Sequence, residues 1–185
     1  MDLALAVLLL ALFSPVMLLI GVMVKLTSAG PVLYRQQRLG LGGRPFWLYK
    51  FRTMRNNAEA ETGPVWAVRN DPRQTALGNL LRRLSLDELP QLINVVRGEM
   101  SLVGPRPERP YFVRQFAEAL PDYARRHEVL PGLTGWAQVH GYRGNTSIAR
   151  RLEYDLDYVA HWSLGLDLWI LLWTPCEILF AHDAG

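Results

Sequence analysis

A chain of 185 residues, half apolar and one-fifth charged, has the length for one core and the composition of a folded protein, which excludes disordered, collagen-like and coiled-coil chains. The net charge of +3 comes from 20 basic and 17 acidic side chains, and only Lys25 and Lys50 of the basic set are lysines; an Arg-dominated set favours bidentate contacts to phosphate or carboxylate. The single Cys176 excludes an internal disulfide framework and a Cys-rich zinc site.

Leu3 to Val24 carries no charge and is long enough to cross a bilayer core as a helix. It lacks the basic start of a cleaved signal peptide and exceeds the usual apolar length of one. Lys25 and Arg35 follow it, so the positive-inside rule places the rest of the chain in the cytoplasm. Ser14-Pro15 interrupts the run. Pro15 removes a helical hydrogen bond and Ser14 can rebond to a freed carbonyl, so a kinked spanning helix and a helix re-entering on the same side both fit.

Ala29-Gly30-Pro31 ends that helix. Val32 to Arg38 and Pro45 to Phe51 read as strands around Gly40-Leu41-Gly42-Gly43, a hairpin signal. Asn56 to Pro64 is a polar loop containing Glu59 and Glu61. Ala76 to Leu84 predicts a short amphipathic helix with Arg82 and Arg83 exposed. Ser85 starts a second helix, Leu86 to Arg97, ended at Gly98. Val103-Gly104-Pro105-Arg106-Pro107 predicts a rigid loop. Tyr111 to Leu120 is helical in period, and a short helix with Arg125 and Arg126 follows. Leu133 to Gly144 is Gly-rich, and Ser147 to His161 is a polar helix. Trp162 to Phe180 is apolar but holds Asp167, Pro175 and Glu177; a helix at the membrane interface and a buried core helix fit equally. The fold class is α+β, mainly helical, with a small hairpin and amphipathic interfacial helices.

Ser85-Leu86-Asp87-Glu88 has two readings. As a capping box, Ser85 caps and Glu88 reaches back to its N–H. As a site, two adjacent carboxylates stand at a helix start, whose N-terminus keeps Asp87 ionised for nucleophilic attack or a hard metal. Lys50 and Arg52 share a strand face by alternation. Arg106 is framed by two prolines, and Arg143 lies in Gly141-Tyr142-Arg143-Gly144; all four are candidate phosphate ligands. His127, His140, His161 and His182 show no metal-ligand spacing. No Walker A sequence or Rossmann context is present. An apolar anchor and near-balanced charge argue against nucleic acid.

Five strings occur in order: Lys25-Leu26-Thr27-Ser28-Ala29-Gly30-Pro31-Val32, Tyr49-Lys50-Phe51-Arg52-Thr53-Met54, Ser85-Leu86-Asp87-Glu88-Leu89-Pro90-Gln91-Leu92, Ser101-Leu102-Val103-Gly104-Pro105-Arg106-Pro107 and Pro131-Gly132-Leu133-Thr134-Gly135-Trp136-Ala137-Gln138-Val139. Through them the chain resembles the bacterial sugar transferases, the monotopic phosphoglycosyltransferases, over nearly its whole length. The resemblance implies a re-entrant membrane helix over 1–28, broken at Ser14-Pro15, and a cytoplasm-facing catalytic domain over 29–185 at the bacterial inner membrane. It implies a catalytic pair, Asp87 and Glu88, with Mg²⁺ held at Asp87. It implies transfer of a sugar 1-phosphate from a UDP-sugar to a polyprenyl phosphate such as undecaprenyl phosphate. UMP leaves and Asp87 carries a covalent phosphosugar, at the first membrane step of O-antigen, capsule or exopolysaccharide synthesis. Glu88 either takes a proton from the lipid phosphate or assists Asp87 and the metal. Lys50, Arg52, Arg106, Arg143 and Gln138 fall at matching positions and are the expected phosphate and substrate contacts.

Some positions depart from the pattern. Only Met1 and Asp2 precede the apolar run, which suggests a natural short start or a fragment of a longer protein. His140 stands where Asn is common, and Glu99 where Asp is common. The apolar surface admits a homodimer. Two other readings are a non-catalytic module binding anionic lipid through its Arg face and a membrane phosphatase with an Asp nucleophile. Neither sugar nor oligomeric state is encoded in these motifs.

Overall fold

The first element of the computed structural model, which describes residues 1–60, 63–66 and 71–180, is one helix, α1 (Asp2–Thr27), with Pro15 inside it. Pro15 cannot donate to the carbonyl four residues back, which is that of Ala11. The Ser14 hydroxyl donates to this same Ala11 carbonyl at 2.9 Å, so the run is interrupted chemically without ending. Glu61 and His182, named above, lie outside the described residues.

Both ends of α1 are fastened to the same body. Asp2 accepts a hydrogen bond from the Ser101 hydroxyl at 2.6 Å, and Ala6 is buried in a core with Leu48, Leu92, Met100 and Ile170. Near the other end Ile20 and Val24 pack on Phe51 and Leu81. The opposite face is apolar and bare: Leu8 is 62%, Leu18 72% and Leu26 80% exposed. By length and composition α1 suffices to cross a membrane.

Strands β1 (Leu33–Leu39) and β2 (Pro45–Phe51) form the expected antiparallel hairpin, in register from Leu33 opposite Phe51 to Leu39 opposite Pro45. A 3-10 turn at Leu41–Gly43 joins them; Gly42 and Gly43 take φ of 61° and 70°, a region that favours glycine. The fully buried Asn94 pins β2 from beneath. Its amide donates to the Trp47 carbonyl at 2.7 Å and to Glu99 at 2.6 Å, and its Oδ1 accepts from Tyr49 N at 3.2 Å.

Helix α2 (Ala76–Arg83) is capped by Thr75, whose hydroxyl accepts from Gly78 N at 2.9 Å. A side chain at Gly78 would run into the Thr53 backbone, so α2 lies directly on the end of the hairpin. Arg82, expected exposed, turns inward and donates to the Thr53 hydroxyl at 2.8 Å.

The helix expected over Leu86 to Arg97 is two pieces, a 3-10 turn at Leu86–Gln91 and α3 (Leu92–Val96). Ser85 enters in the left-handed region, φ 55°, and Pro90 brings no backbone donor, so a regular helix cannot start there. Strands β3 (Ser101–Val103) and β4 (Gly132–Thr134) pair in parallel. Val103 therefore belongs to a strand rather than to the rigid loop predicted for it; a three-residue strand is too short to show alternation.

The remaining elements are α4 (Pro110–Ala119), a 3-10 turn at Tyr123–His127, α5 (Trp136–Val139), α6 (Ile148–His161) and α7 (Leu164–Phe180). Pro110 occupies the first turn of α4, where its missing N–H costs nothing. Helix α7 has two faces. Ile170 is fully buried in the same core as Ala6, while Leu172 and Trp173 are 79% and 48% exposed. The core reading thus holds for one side of this segment, and the other side is apolar and exposed.

Candidate active site

The 3-10 turn at Leu86–Gln91 presents Asp87 and Glu88 to different neighbours. Glu88 is fully engaged. Its carboxylate takes Lys50 Nζ at 2.6 Å from β2 and both terminal nitrogens of Arg106 from the loop after β3. Asp87 is 5% exposed, yet no group among the described residues donates a hydrogen bond to its carboxylate. Lys50, Arg82 and Arg106 act on it only through their charge.

The capping box is thereby overturned. The Ser85 side chain makes no capping bond, and Glu88 is drawn away by two cations. The expectation that a helix N-terminus keeps Asp87 ionised fails as well, because a single 3-10 turn has too few aligned peptides. Burial pushes the Asp87 carboxyl up, with Lys50 opposing and Glu88 adding to it. Glu88 moves the other way. Burial alone would raise it, but Arg106 and Lys50 hold it well below the usual carboxylate range. Burial lowers the Lys50 ammonium, against the pull of Glu88.

Arg106 is stiffly presented, and the prolines are only part of the reason. Buried Arg126 donates to the Arg106 carbonyl at 2.8 Å and is neutralised by Asp155 at 2.7 Å. Arg38 donates to the Pro107 carbonyl at 3.0 Å. Gly104 N and Gly132 N complete the frame, bonding Thr134 O at 2.9 Å and Pro105 O at 3.0 Å. Glu108 is buried between Arg151 at 2.7 Å and Arg38 at 3.4 Å. None of Glu108, Arg126, Arg151 or Asp155 stands out as a site residue in the sequence; Glu108 directly follows the Pro-framed string, the one local signal available.

Arg52 does not join this group. Its guanidinium donates to the Ser28 carbonyl and hydroxyl, each at 2.8 Å, and to the Ala29 carbonyl. Ser28 and Ala29 directly follow the last turn of α1, so Arg52 fastens the exit of that helix, and strand alternation is a poor guide to its destination. Arg143 is partly buried with its Nε unpartnered, and Glu177, Arg106 and Glu88 all act on its charge. Gln138 donates to Leu133 O at 3.2 Å, and its buried Oε1 has no partner.

Among the described residues no three His, Cys, Asp or Glu side chains converge as a metal site. A magnesium ion needs fewer protein ligands than that, because it keeps waters and takes substrate phosphate oxygens. The uncommitted carboxylate of Asp87 fits such a role, whereas Glu88 is already neutralised. The histidines serve elsewhere: burial pushes His127 down to about 4. His140 stacks on Tyr154 at 4.6 Å and donates from Nδ1 to Trp136 O at 2.8 Å.

A family model described as bacterial sugar transferase matches residues 1–181. The chain is 48% identical over 182 residues to the UDP-glucose:undecaprenyl-phosphate glucose-1-phosphate transferase of Xanthomonas campestris pv. campestris, covering 96% of this chain and 38% of that protein. A relative of the same name from Caulobacter vibrioides is 47% identical over 190 residues, covering 100% of this chain and 70% of that protein. The UDP-N-acetylgalactosamine-undecaprenyl-phosphate N-acetylgalactosaminephosphotransferase of Aeromonas hydrophila is 47% identical over 186 residues, covering 100% and 44%. The chain thus spans less than half the length of the Xanthomonas and Aeromonas relatives.

Proposed function

The chain belongs to the bacterial sugar transferase family, and from that premise we propose that it moves a sugar 1-phosphate from a UDP-sugar to undecaprenyl phosphate and releases UMP. The observation carrying the proposal is the asymmetry of the acidic pair: Asp87 is buried with free lone pairs, and Glu88 is saturated by Lys50 and Arg106.

A carboxylate oxygen of Asp87 attacks the phosphorus bearing the sugar. The new bond is Asp–O–P, the bond broken is the one to the UMP oxygen, and UMP leaves with that electron pair. An oxygen of the lipid phosphate then attacks the same phosphorus, and the Asp87 carboxylate is regenerated. Glu88 holds Lys50 and Arg106 in position, so that both cations stand beside the phosphates where charge accumulates. With a pKa held well below normal, Glu88 is a counter-ion in this arrangement rather than a proton acceptor. Arg143 and Gln138 contribute from the 136–144 stretch. Asp87 is also the residue that would hold Mg²⁺, which when bound neutralises phosphate charge. Arg52 is left out, because its donors are committed to the end of α1.

Helix α1 supports the membrane placement. Both of its ends are bonded to one body, which supports a helix entering and leaving on the same face, the cytoplasmic one. An apolar groove of about 950 Å³ runs beside α1, walled by Met17, Val32, Phe51, Pro90 and Ile93. It offers an isoprenoid chain a place next to the turn that carries Asp87. The lipid-linked product would begin a surface polysaccharide.

The test is UMP release from a panel of UDP-sugars by the protein in detergent with Mg²⁺, with and without undecaprenyl phosphate. Release that needs both one donor and the lipid supports the transferase. Release independent of the lipid would indicate a hydrolase, and none from any donor by folded protein would overturn the reading.

A further inference from the structure

Arg151 lies on α6, 3% exposed, and reaches three loops at once. NH1 donates to Glu108 Oε1 at 2.7 Å, directly after the Arg106 frame. NH2 donates to the Gly144 carbonyl at 2.6 Å and to the Thr146 hydroxyl at 3.2 Å. The guanidinium face lies 5.2 Å from the Trp66 ring, in the stretch between β2 and α2. Gly144 adjoins Arg143 and takes φ of 62°, so its peptide can turn its carbonyl where few residues could.

A planar guanidinium suits this position. It offers donors in several fixed directions and a flat face for an aromatic ring. A lysine could satisfy one of these partners. Arg151 itself is far from bare: Glu108 offsets its charge, while burial is the main force lowering its pKa, with Arg126 and Arg106 adding to it.

We propose that Arg151 is a positioning residue, which fixes the Arg143 loop relative to the Arg106 frame by joining Gly144 and Thr146 to Glu108. The inference rests on the transferase reading above, in which Arg143 and Arg106 meet the donor phosphates. The two arginines have like charge and act on one another. The Arg151 tie holds them at a set separation before the donor arrives, which lowers the ordering cost of binding.

The test uses the full chain in detergent with the donor and lipid that support turnover. Arg151→Lys keeps a positive charge beside Glu108 but frees the Gly144 carbonyl. KM for the donor should rise roughly tenfold, with kcat changing less. In an Arg143→Ala background the same substitution should cost less than about twofold, because the loop no longer carries its cation. Hydrogen exchange over 141–147 should quicken in Arg151→Lys. Thr146→Val, a milder change, should quicken it too without altering global unfolding. Independent, multiplicative effects of Arg151→Lys and Arg143→Ala would overturn the proposal. Unchanged exchange over 141–147 in both variants, or an unchanged KM, would overturn it as well. Lack of UMP release by the wild-type chain would instead sink the transferase reading, while exchange over 141–147 would still report on the tie.

Discussion

Lys50 Nζ stands 2.6 Å from Glu88 Oε1, so the second acid of the pair is neutralised from β2 before any substrate is present. Removing that charge changes Lys50 as much as Glu88. Burial already lowers the Lys50 pKa and Glu88 opposes the shift. In Glu88→Gln the ammonium should therefore lose its proton at lower pH. The alkaline limb of kcat/KM for UMP release should move to lower pH, with a fall of roughly 100-fold at neutral pH. A pH–rate profile checks this, and an unmoved alkaline limb would free Lys50 of the role.

Asp87→Asn should abolish turnover and covalent labelling by a radiolabelled donor while stabilising the fold. The Asp87 pKa is raised by burial, so its folded form favours the proton. That contribution is present below the unfolded pKa and lost as pH rises through the folded one. Wild type carries the cost at pH 7 and Asn does not. Asp87→Asn should therefore melt at a higher temperature than wild type at pH 7. Melts at descending pH should show the difference closing as Asp87 protonates.

Arg126→Leu should be among the costliest single changes. It leaves Asp155 buried and alone, and takes a donor from the Tyr123 hydroxyl and the Arg106 carbonyl. Breaking a buried pair from one side costs about 3–5 kcal/mol, which denaturant unfolding would measure. Arg125→Leu is the control, since Arg125 is 55% exposed at the side chain.

Pro15→Ala restores an N–H that can reach the Ala11 carbonyl and makes the Ser14 bond redundant. The helix should then run straighter and favour spanning. Labelling a cysteine introduced by Leu3→Cys, at a position 59% exposed that leaves the Asp2 bond intact, with exposed Cys176 replaced by Ser, should report access from the outer face only in the Pro15→Ala form. Identical labelling in both forms would remove Pro15 from the topology.

The acidic pair is legible in the sequence, but which of its members is free is not. The partners that decide it are 38 residues upstream and 18 downstream. The same reach hides Glu108, whose arginines are 70 and 43 residues away. Hairpin, α2 and α6 are legible because each has a period, a turn or a cap within a few residues. Strands β3 and β4 are not, since their pairing is the only thing that defines them. Arg52 is a different case: its motif is plain, and its partners at Ser28 and Ala29 lie inside another motif, yet no spacing rule links the two.

The bond between Asp2 and Ser101 joins positions 99 apart, and this sets an order of events during synthesis. At about 5–20 residues per second, Ser101 leaves the ribosome at least several seconds after Asp2. The apolar α1 is therefore complete long before the residue that fastens its first turn exists. Its burial partner Ile170 comes later still. The first turn of α1 is thus held in place by residues made much later than itself.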